Sequence, residues 1–390
     1  MNNKVSIITH YYKSKNYGGI LQSYALCRVI NELGYNAEQI SYNMFPTKKA
    51  GAFSLLYRTM ISALGKLDVR KWSYRKKNKR AQDLLKARFE SMNSFGEKYI
   101  PHTEKVYDEE NVDECGANYD AFITGSDQVW NLQWYYPAFF LSFVPSGKRK
   151  LSYAASMAMS KPSNEQKALL RENLKDFNAI SVREKDSVEL LKDIVPAVAE
   201  WVLDPTMLLD SKKWDDISSE KEFVKEPYVF CYFLGDDLLQ RELAAEFAQH
   251  RGLKLVTLPY LNCMYRECDD GFGDIRLYDV GPQDFISLIK HAEYIFTDSF
   301  HATVFSGIYK KQYFVFPRNR EASMSSRIYS LIELYEAQER FCDTDEKATI
   351  KYIDALQKID YSKPLEKLAK MRRKSMLYLE RNLKYGEGNE

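Results

Sequence analysis

The stretch IFTDSFHATVFSGIYKKQYFVFP, residues 295–317, decides the predicted fold. A short apolar run typical of a buried strand is followed by the apolar spacing of a helix and then by a second apolar run. The segment therefore predicts a strand–helix–strand unit. In such units ligands bind beyond the carboxyl ends of the strands, where the start of the helix favours anions. Asp298, Ser299 and His301 stand at that edge, and we expect them to contact a substrate.

The same alternation of strands and helices begins at residues 5–9 and starts again at residues 228–234. Alternation of this kind predicts mainly parallel sheets covered by helices, an α/β fold. The 390 residues are enough for two domains at roughly 150 residues each. The predicted units are an N-terminal domain at 1–210 with a basic helical insertion at about 50–100, a C-terminal domain at 211–340, and helices at 341–390 that could pack back on the first domain.

The composition excludes several classes of protein. The 56 basic and 54 acidic residues leave a net charge of +2, so we expect no nucleic-acid partner. The chain shows no secretory signal and no run of about 18 apolar residues, which predicts a cytoplasmic location. Six scattered cysteines predict buried thiols. Because the common dinucleotide, phosphate-loop and zinc-protease motifs are missing, we expect no cofactor and no metal.

The predicted insertion contains a strongly basic segment, residues 66–88, with Trp72 and Tyr74 among its charges. A pair of solvated helices is one interpretation. A basic amphipathic surface that lies against anionic lipid is another, because each Lys or Arg near such a surface gains roughly 1 kcal/mol. The second interpretation predicts a peripheral position at the inner face of the cell membrane.

A polar, glycine-containing turn follows the first predicted strand. Asn16, Tyr17, Gly18 and Gly19 lie where the strand leads into a helix. Glycines let the backbone approach a ligand closely, and the helix that they open could hold an anion. A plain tight turn would use the same residues, so both interpretations stand.

A second polar loop, GSDQVWN at residues 125–131, is richer in hydrogen-bonding groups than a connection requires. Its neighbours Trp134, Tyr135 and Tyr136 could offer flat faces to a sugar ring. A capped turn with core aromatic residues is the alternative. The candidate binding residues in the loop are Ser126, Asp127, Gln128, Trp130 and Asn131.

Arg183 ends an apolar strand and precedes Glu184. An arginine in this position can hold a carboxylate or phosphate through two parallel N–H bonds, a geometry that lysine cannot copy. The alternative is a structural ion pair with Glu184 or Asp186.

His301 is the leading candidate for proton transfer, because an imidazole can give or take a proton at cellular pH. The adjacent Asp298 and the downstream cations Arg318 and Arg320 favour a substrate site over a core or capping histidine. His10, at the end of the first strand, is a second candidate.

Five motifs occur in a characteristic order. They are NYGGILQSYAL (16–26), TGSDQVWN (124–131), ISVREKDS (180–187), WVLDPTMLL (201–209) and TDSFHATVFSGIY (297–309). With these motifs the chain resembles the polysaccharide pyruvyl transferase family. The resemblance implies two Rossmann-like domains of the glycosyltransferase-B type with the active site in the cleft between them. It also implies transfer of the pyruvyl group of phosphoenolpyruvate to two hydroxyls of a sugar, in a bacterial surface polysaccharide or its lipid-linked precursor, with formation of a cyclic ketal.

The resemblance carries over to single residues. It maps the family's arginine after the ISV-type strand to Arg183 and its histidine to His301, with Asp127 as an orienting group or acceptor contact. Many members have an arginine two positions before that histidine, where this chain has Ser299. Arg318, Arg320 or Arg327 could replace the missing cation. Two alternatives are kept: a sugar-nucleotide-dependent glycosyltransferase of the same fold, and a non-catalytic scaffold for envelope glycan assembly.

Overall fold

Parallel β-sheets form the frame of the protein, and a computed structural model describes residues 3–45, 69–159, 161–195, 197–261, 263–318 and 326–384. The first sheet contains β1 (Lys4–Ile8), β2 (Asn36–Tyr42), β3 (His102–Tyr107), β4 (Ala121–Thr124) and β5 (Arg149–Ser152), in the order β3-β2-β1-β4-β5. A short pair, β6 (Ile180–Val182) and β7 (Ala199–Trp201), follows. The second sheet contains β8 (Tyr228–Tyr232), β9 (Lys254–Thr257), β10 (Ile275–Arg276), β11 (Tyr294–Thr297) and β12 (Gln312–Val315), in the order β10-β9-β8-β11-β12.

Helices cover the faces of these sheets. In the first half of the chain they are α1 (Tyr17–Glu32), α2 (Val69–Leu84), α3 (Lys86–Tyr99), α4 (Asn164–Leu174), α5 (Lys185–Lys192) and α6 (Ser211–Asp215). In the second half they are α7 (Leu238–Arg251), α8 (Pro282–His291), α9 (Phe300–Ile308), α10 (Ser326–Leu334), α11 (Ile350–Ala355) and α12 (Ser362–Leu383). No helix within the described ranges is long and apolar enough to cross a membrane.

Both five-stranded sheets share one topology. In each sheet the first three strands follow one another toward one edge, and the last two lie on the other side of the first strand. The strand order therefore reverses between β1 and β4 and again between β8 and β11. Ligands of open parallel sheets bind at such switch points, beyond the carboxyl ends of the strands. The loops at these positions are residues 9–16 and 125–131 in the first sheet, and 233–237 and 298–299 in the second.

The predicted strand–helix–strand unit is present as β11, α9 and β12. Its helix begins after Ser299, whose Oγ accepts a hydrogen bond from the N–H of Ala302 at 3.4 Å. Every residue of α9 is buried. At Gly307 an added Cβ would lie 2.1 Å from the ring of Tyr335, so only glycine lets α9 approach the segment after α10 this closely. The unit therefore forms a fixed base for the residues at its start.

The last helix, α12, packs against the first half of the chain. Ser375 Oγ accepts a hydrogen bond from the backbone N–H of Leu203 at 2.9 Å, and the hydroxyl of Tyr378 donates to the carbonyl of Ser152 at 2.9 Å. Arg372 Nε donates to the carbonyl of Met207 at 2.9 Å. These contacts join the last helix to residues 152–207 of the chain. The domain boundaries at 210 and 340 stay a prediction.

The basic insertion needs a correction at its end. Arg88 was expected within a basic outer surface, but its side chain is buried, and its guanidinium donates to the carbonyls of Pro259 at 2.9 Å and Leu277 at 2.8 Å. A buried guanidinium with this geometry joins α3 to loops of the second sheet. Residues 66–68 lie outside the described ranges, as do the side chain of Trp72 and all of Arg320.

Two further elements differ from the expectation. Strand β3 was not predicted, because its sequence HTEKVY is polar and lies at the edge of the sheet, where three successive residues are exposed. The sequence pattern also predicts a helix at 326–339, but α10 ends at Leu334, since Glu336 takes a positive φ of 49° and a short 3₁₀ turn follows at Gln338–Arg340. Neither difference changes the strand order between β1 and β4 or between β8 and β11.

Candidate active site

A cavity of about 450 Å³ lies where the switch-point loops of the two sheets meet. This volume is within the range of about 300–1,000 Å³ found for small-molecule sites. His10, Asn16 and Asp127 line it from the first half of the chain. Ser299 and His301 line it from the second half. The cavity therefore joins two halves that each carry polar groups at strand ends.

His301 packs directly against the start of α1. A Cβ added at Gly18 would lie 2.0 Å from Nδ1 of His301, which is closer than any side chain tolerates. A Cβ at Gly19 would lie 2.9 Å from the carbonyl oxygen of His10. The two glycines thus act by allowing close approach between the halves, and the helix start is capped by Asn16, whose Oδ1 accepts from the N–H of Gly18 at 2.9 Å.

A buried carboxylate, Asp204, stands behind His301. Its Oδ2 lies 3.6 Å from His301 Nε2, 3.2 Å from Arg183 Nη1 and 3.1 Å from the Ser126 hydroxyl that donates to it. Its Oδ1 accepts from the N–H of Thr206 at 3.0 Å and from the Thr206 hydroxyl at 2.7 Å. At 3.6 Å the imidazole contact is electrostatic and slightly longer than a hydrogen bond.

The charge of Asp204 is held by these neighbours. Burial raises the pKa of the carboxyl, but His301, Arg183 and Thr206 together outweigh burial and hold the pKa well below its usual range. Asp204 is therefore ionised at neutral pH. Sequence reasoning did not select it, although the WVLDPTMLL motif places an aspartate two residues after Val202.

Arg183 lies beside this carboxylate and does not line the cavity. Its side chain is 1% exposed, and it faces Asp204 at 3.2 Å and Asp127 and Glu184 at 3.5 Å each. The guanidinium carbon also lies 4.5 Å from the centre of the Phe300 ring. These contacts match the ion-pair interpretation of Arg183, extended from one carboxylate to three.

Asp127 connects this charged cluster to the cavity. Burial raises the pKa of its carboxyl, but Arg183, His301 and His10 outweigh that effect and lower the pKa overall. His10 lies on the cavity wall with its Nδ1 3.3 Å from the sulfur of Met44, and burial lowers the pKa of this imidazole. An ionised carboxylate and a histidine thus meet on the wall opposite the second sheet.

Two arginines face the cavity from the other side. Arg318 and Arg327 both line it, and the Nε atom of each is buried without a hydrogen-bond partner in the described part of the chain. Burial and the nearby charge of Arg318 lower the pKa of Arg327 to about 10. Two like charges held together in a partly dry space favour an anion between them.

The remaining sequence-based candidates divide into two groups. Asn16, Gln128 and Ser299 line the cavity with Asp127, His301 and Arg318. The others do not line the cavity, so their binding roles stay a prediction; they are Tyr17, Gly18, Gly19, Ser126, Trp130, Asn131, Arg183 and Asp298.

Burial explains why members of the second group do not reach the cavity. Tyr17 donates its hydroxyl proton to the carbonyl of Val280 at 2.7 Å, and Trp130, fully buried, donates from Nε1 to Phe139 at 3.2 Å. The two carboxylate oxygens of Asp298 accept hydrogen bonds from the backbone N–H groups of Leu234 and Gly235, in the loop after β8, at 2.7 and 2.6 Å. Their polar atoms are already satisfied within the protein.

Comparison with solved structures and protein families identifies the architecture. A putative UDP-N-acetylglucosamine 2-epimerase from Listeria monocytogenes superposes with a TM-score of 0.54 at 11% identity, covering 99% of this chain and 98% of that chain. A UDP-GlcNAc 2-epimerase from Methanocaldococcus jannaschii, solved with UDP-GlcNAc and UDP, gives a TM-score of 0.54 at 14% identity, covering 98% and 100%. At these identities the likeness establishes the fold alone, two Rossmann-like units of the glycosyltransferase-B type.

No curated protein matches the sequence significantly. The family model for polysaccharide pyruvyl transferases matches residues 16–320, from the cap of α1 to just beyond β12. That span contains most of the cavity residues, whereas His10, Ser14 and Arg327 lie outside it. The chain belongs to the polysaccharide pyruvyl transferase family.

Proposed function

We propose that this protein transfers the pyruvyl group of phosphoenolpyruvate to two hydroxyls of a sugar and forms a cyclic ketal. The observation that carries the proposal is the pair Arg318 and Arg327, whose buried Nε atoms lack partners within the described residues and which line the same cavity as His301. Membership of the family supplies the reaction class.

The donor suits these cations. Phosphoenolpyruvate is small and carries a carboxylate and a phosphate, so it needs concentrated positive charge more than a long nucleotide groove. Two guanidinium groups can each bind an anion through parallel N–H bonds. The start of α9, at Ser299, adds the positive end of a helix. Arg318 and Arg327 then take the place of the cation that the family resemblance expects at Ser299.

The reaction conserves atoms in two steps. In the first, a sugar hydroxyl oxygen bonds to C2 of the donor and loses its proton while a proton is added to the C3 methylene, which becomes a methyl group, so this addition needs no net proton. In the second, another hydroxyl of the same sugar bonds to C2, and the bond from C2 to the phosphate oxygen breaks. The proton of that hydroxyl leaves with the released phosphate or the solvent. His301 is the group we assign to proton transfer, positioned by Asp204.

Arg183 takes a positioning role in this scheme. Its guanidinium lies among three carboxylates, which leaves little free charge for a donor. It neutralises Asp204 and Asp127 instead, and these two carboxylates can stand near a bound anion only because that neutralisation lowers their repulsion. Asp127, on the cavity wall, is the proposed contact for an acceptor hydroxyl.

A membrane contact is a separate part of the proposal. The acceptor is a sugar of a surface polysaccharide or of its lipid-linked precursor, and a lipid-linked acceptor would bring the protein to an anionic membrane. On α2, Arg75, Lys76, Lys77, Lys79 and Arg80 are exposed, and Tyr74 is exposed among them. Such a surface is suited to anionic lipid headgroups.

Incubation with phosphoenolpyruvate and a panel of free and lipid-linked sugars should release phosphate in a one-to-one ratio with a ketal-bearing product, detected by mass spectrometry. Replacement of His301 by Gln should lower kcat by about 10²-fold or more, because general acid–base catalysis contributes that much. The exposed His250, replaced by Gln, is the matched control.

Thermal stabilisation by a nucleoside diphosphate but not by phosphoenolpyruvate would favour the sugar-nucleotide alternative. Glycan production unaffected in cells by His301→Gln would favour the scaffold.

Arg327→Met should weaken phosphoenolpyruvate binding by about 10- to 100-fold, since a hydrogen bond to a charged group contributes about 1.5–3 kcal/mol. In the absence of donor the variant should be as stable as the wild type, because removal of the Arg327 guanidinium also removes its repulsion with Arg318. Calorimetric titration and thermal melting measure the two effects. Arg373→Met, at an exposed position of α12, is the control. Unchanged donor affinity in Arg327→Met would remove this residue from the donor site.

Sedimentation with vesicles that contain anionic phosphatidylserine tests the membrane contact. The wild type should bind at low salt and be released as salt rises, because exposed charges are screened over about 8 Å at physiological ionic strength. Replacement of Arg75, Lys79 and Arg80 by Gln should reduce binding, whereas the same change at exposed Lys167 and Arg171 of α4 should not. Equal loss in both variants, or no binding by the wild type, would return α2 to the solvated-helix interpretation.

A further inference from the structure

The two walls of the cavity have opposite character. Arg318, Arg327 and His301 line the wall that belongs to the second sheet. The wall that belongs to the first sheet carries Trp134 and Tyr136. A space with cations on one side and aromatic rings on the other has room for two different chemical groups at once, and the charged side has already been assigned to the donor.

Trp134 is a largely exposed aromatic residue on this wall. It is 61% exposed, whereas Trp130, four residues earlier, is fully buried in the core. The short 3₁₀ turn Leu132–Trp134 that carries the ring is capped by Asn131, whose Oδ1 accepts from the N–H of Gln133 at 3.0 Å. Exposed indole forfeits the free energy that burial would give. A ligand that covers the ring would recover part of it.

The neighbouring tyrosines point to different surroundings. Tyr136 lines the cavity and is fixed by an edge-on contact with Phe139 at 5.9 Å. Tyr135 is not among the lining residues, and its hydroxyl donates to Asn173 on α4 at 2.9 Å. The segment thus alternates, with Trp134 and Tyr136 at the cavity and Tyr135 turned to a helix. Such alternation gives two aromatic surfaces on the same side of the site.

Two side-chain amides line the same cavity and have NH₂ donors to spare. The Oε1 of Gln128 accepts from Asn131 Nδ2 at 3.0 Å, which orients its Nε2 for other contacts. The Oδ1 of Asn16 is likewise occupied by the N–H of Gly18. Neither NH₂ group donates a hydrogen bond to any part of the chain that the structure describes, and both residues line the cavity. Amide donors suit hydroxyl oxygens.

We infer that this wall is the acceptor subsite, and that it binds one pyranose ring with its C–H face against Trp134 and its hydroxyls at Gln128 and Asn16. One face of a pyranose is made of C–H groups and is apolar, whereas its edge carries hydroxyls. Aromatic rings beside planar amides match that division. The ring is then held between Trp134 and the donor, with its hydroxyl pair directed toward His301. The inference rests on the proposed function and specifies the acceptor as a single hexopyranose unit at this position.

Trp134→Ala tests the subsite without disturbing the core. We expect the KM for the acceptor to rise about tenfold, with kcat at saturating acceptor and the affinity for phosphoenolpyruvate unchanged, because the ring contributes equally to ground and transition states. Trp134→Phe should restore most of the affinity. Tyr135→Ala is the matched control, since it removes an adjacent aromatic ring that does not line the cavity. Thermal melting verifies that each variant is folded.

Saturation-transfer NMR gives a readout that does not depend on turnover. Methyl glycosides of glucose, galactose, mannose and N-acetylglucosamine are the probes, and at least one should show transfer concentrated on the C–H protons of one ring face, lost in Trp134→Ala and retained in Tyr135→Ala. Absence of transfer for the whole panel at about 10 mM, an affinity limit far weaker than a typical substrate KM, would overturn the subsite. So would an unchanged acceptor KM in Trp134→Ala. Pyranoside binding without ketal formation would instead refute the proposed function and leave the subsite standing.

Discussion

The buried carboxylate of Asp204 is the interaction on which the site depends. It lies after β7, yet it faces Arg183 from the first half of the chain and His301 from α9 of the second sheet. A buried carboxylate costs several kcal/mol unless charges and hydrogen bonds compensate for it. Here an arginine, a histidine and the donors of Ser126 and Thr206 supply the compensation. The same contacts fix the imidazole at the boundary between the two sheets.

Close approach of the halves follows from this constraint. His301 can stand near Asp204 only because Gly18 leaves its ring space at the start of α1. The cavity then receives its polar groups from both sheets, with Arg318 from the segment after β12, Arg327 from α10, and amides and aromatic rings from the loops after β1 and β4. Under the proposed function, such a division separates an anionic donor from a neutral acceptor and brings both to one imidazole. An electrostatically prepared site of this kind lowers the reorganisation needed during reaction.

Sequence reasoning predicted the frame better than the site. Apolar runs and helical spacing located the strand–helix–strand unit around His301, because those signals are local. The partner of His301 could not be found in this way, since Asp204 lies almost a hundred residues earlier and meets it only through packing of the two halves. Asp298 shows a related limit of local sequence signals. A polar residue at a strand end can bind a ligand or tie down a neighbouring loop, and only the hydrogen bonds to Leu234 and Gly235 distinguish the two. Three arginines are candidates for the missing cation, of which Arg318 and Arg327 line the cavity and Arg320 lies outside the described residues.

The pH dependence of unfolding in wild type and Asp204→Asn tests the central role of this carboxylate most directly. Its pKa is lower in the folded than in the unfolded protein, where it is about 3.9, so its contribution to stability is fully present above about pH 5 and is lost as the pH falls through the folded value. We predict that the variant is less stable by about 3 kcal/mol at pH 7, and that this difference in the free energy of unfolding narrows steadily toward pH 3. A difference that stays constant from pH 7 to pH 3 would contradict the account.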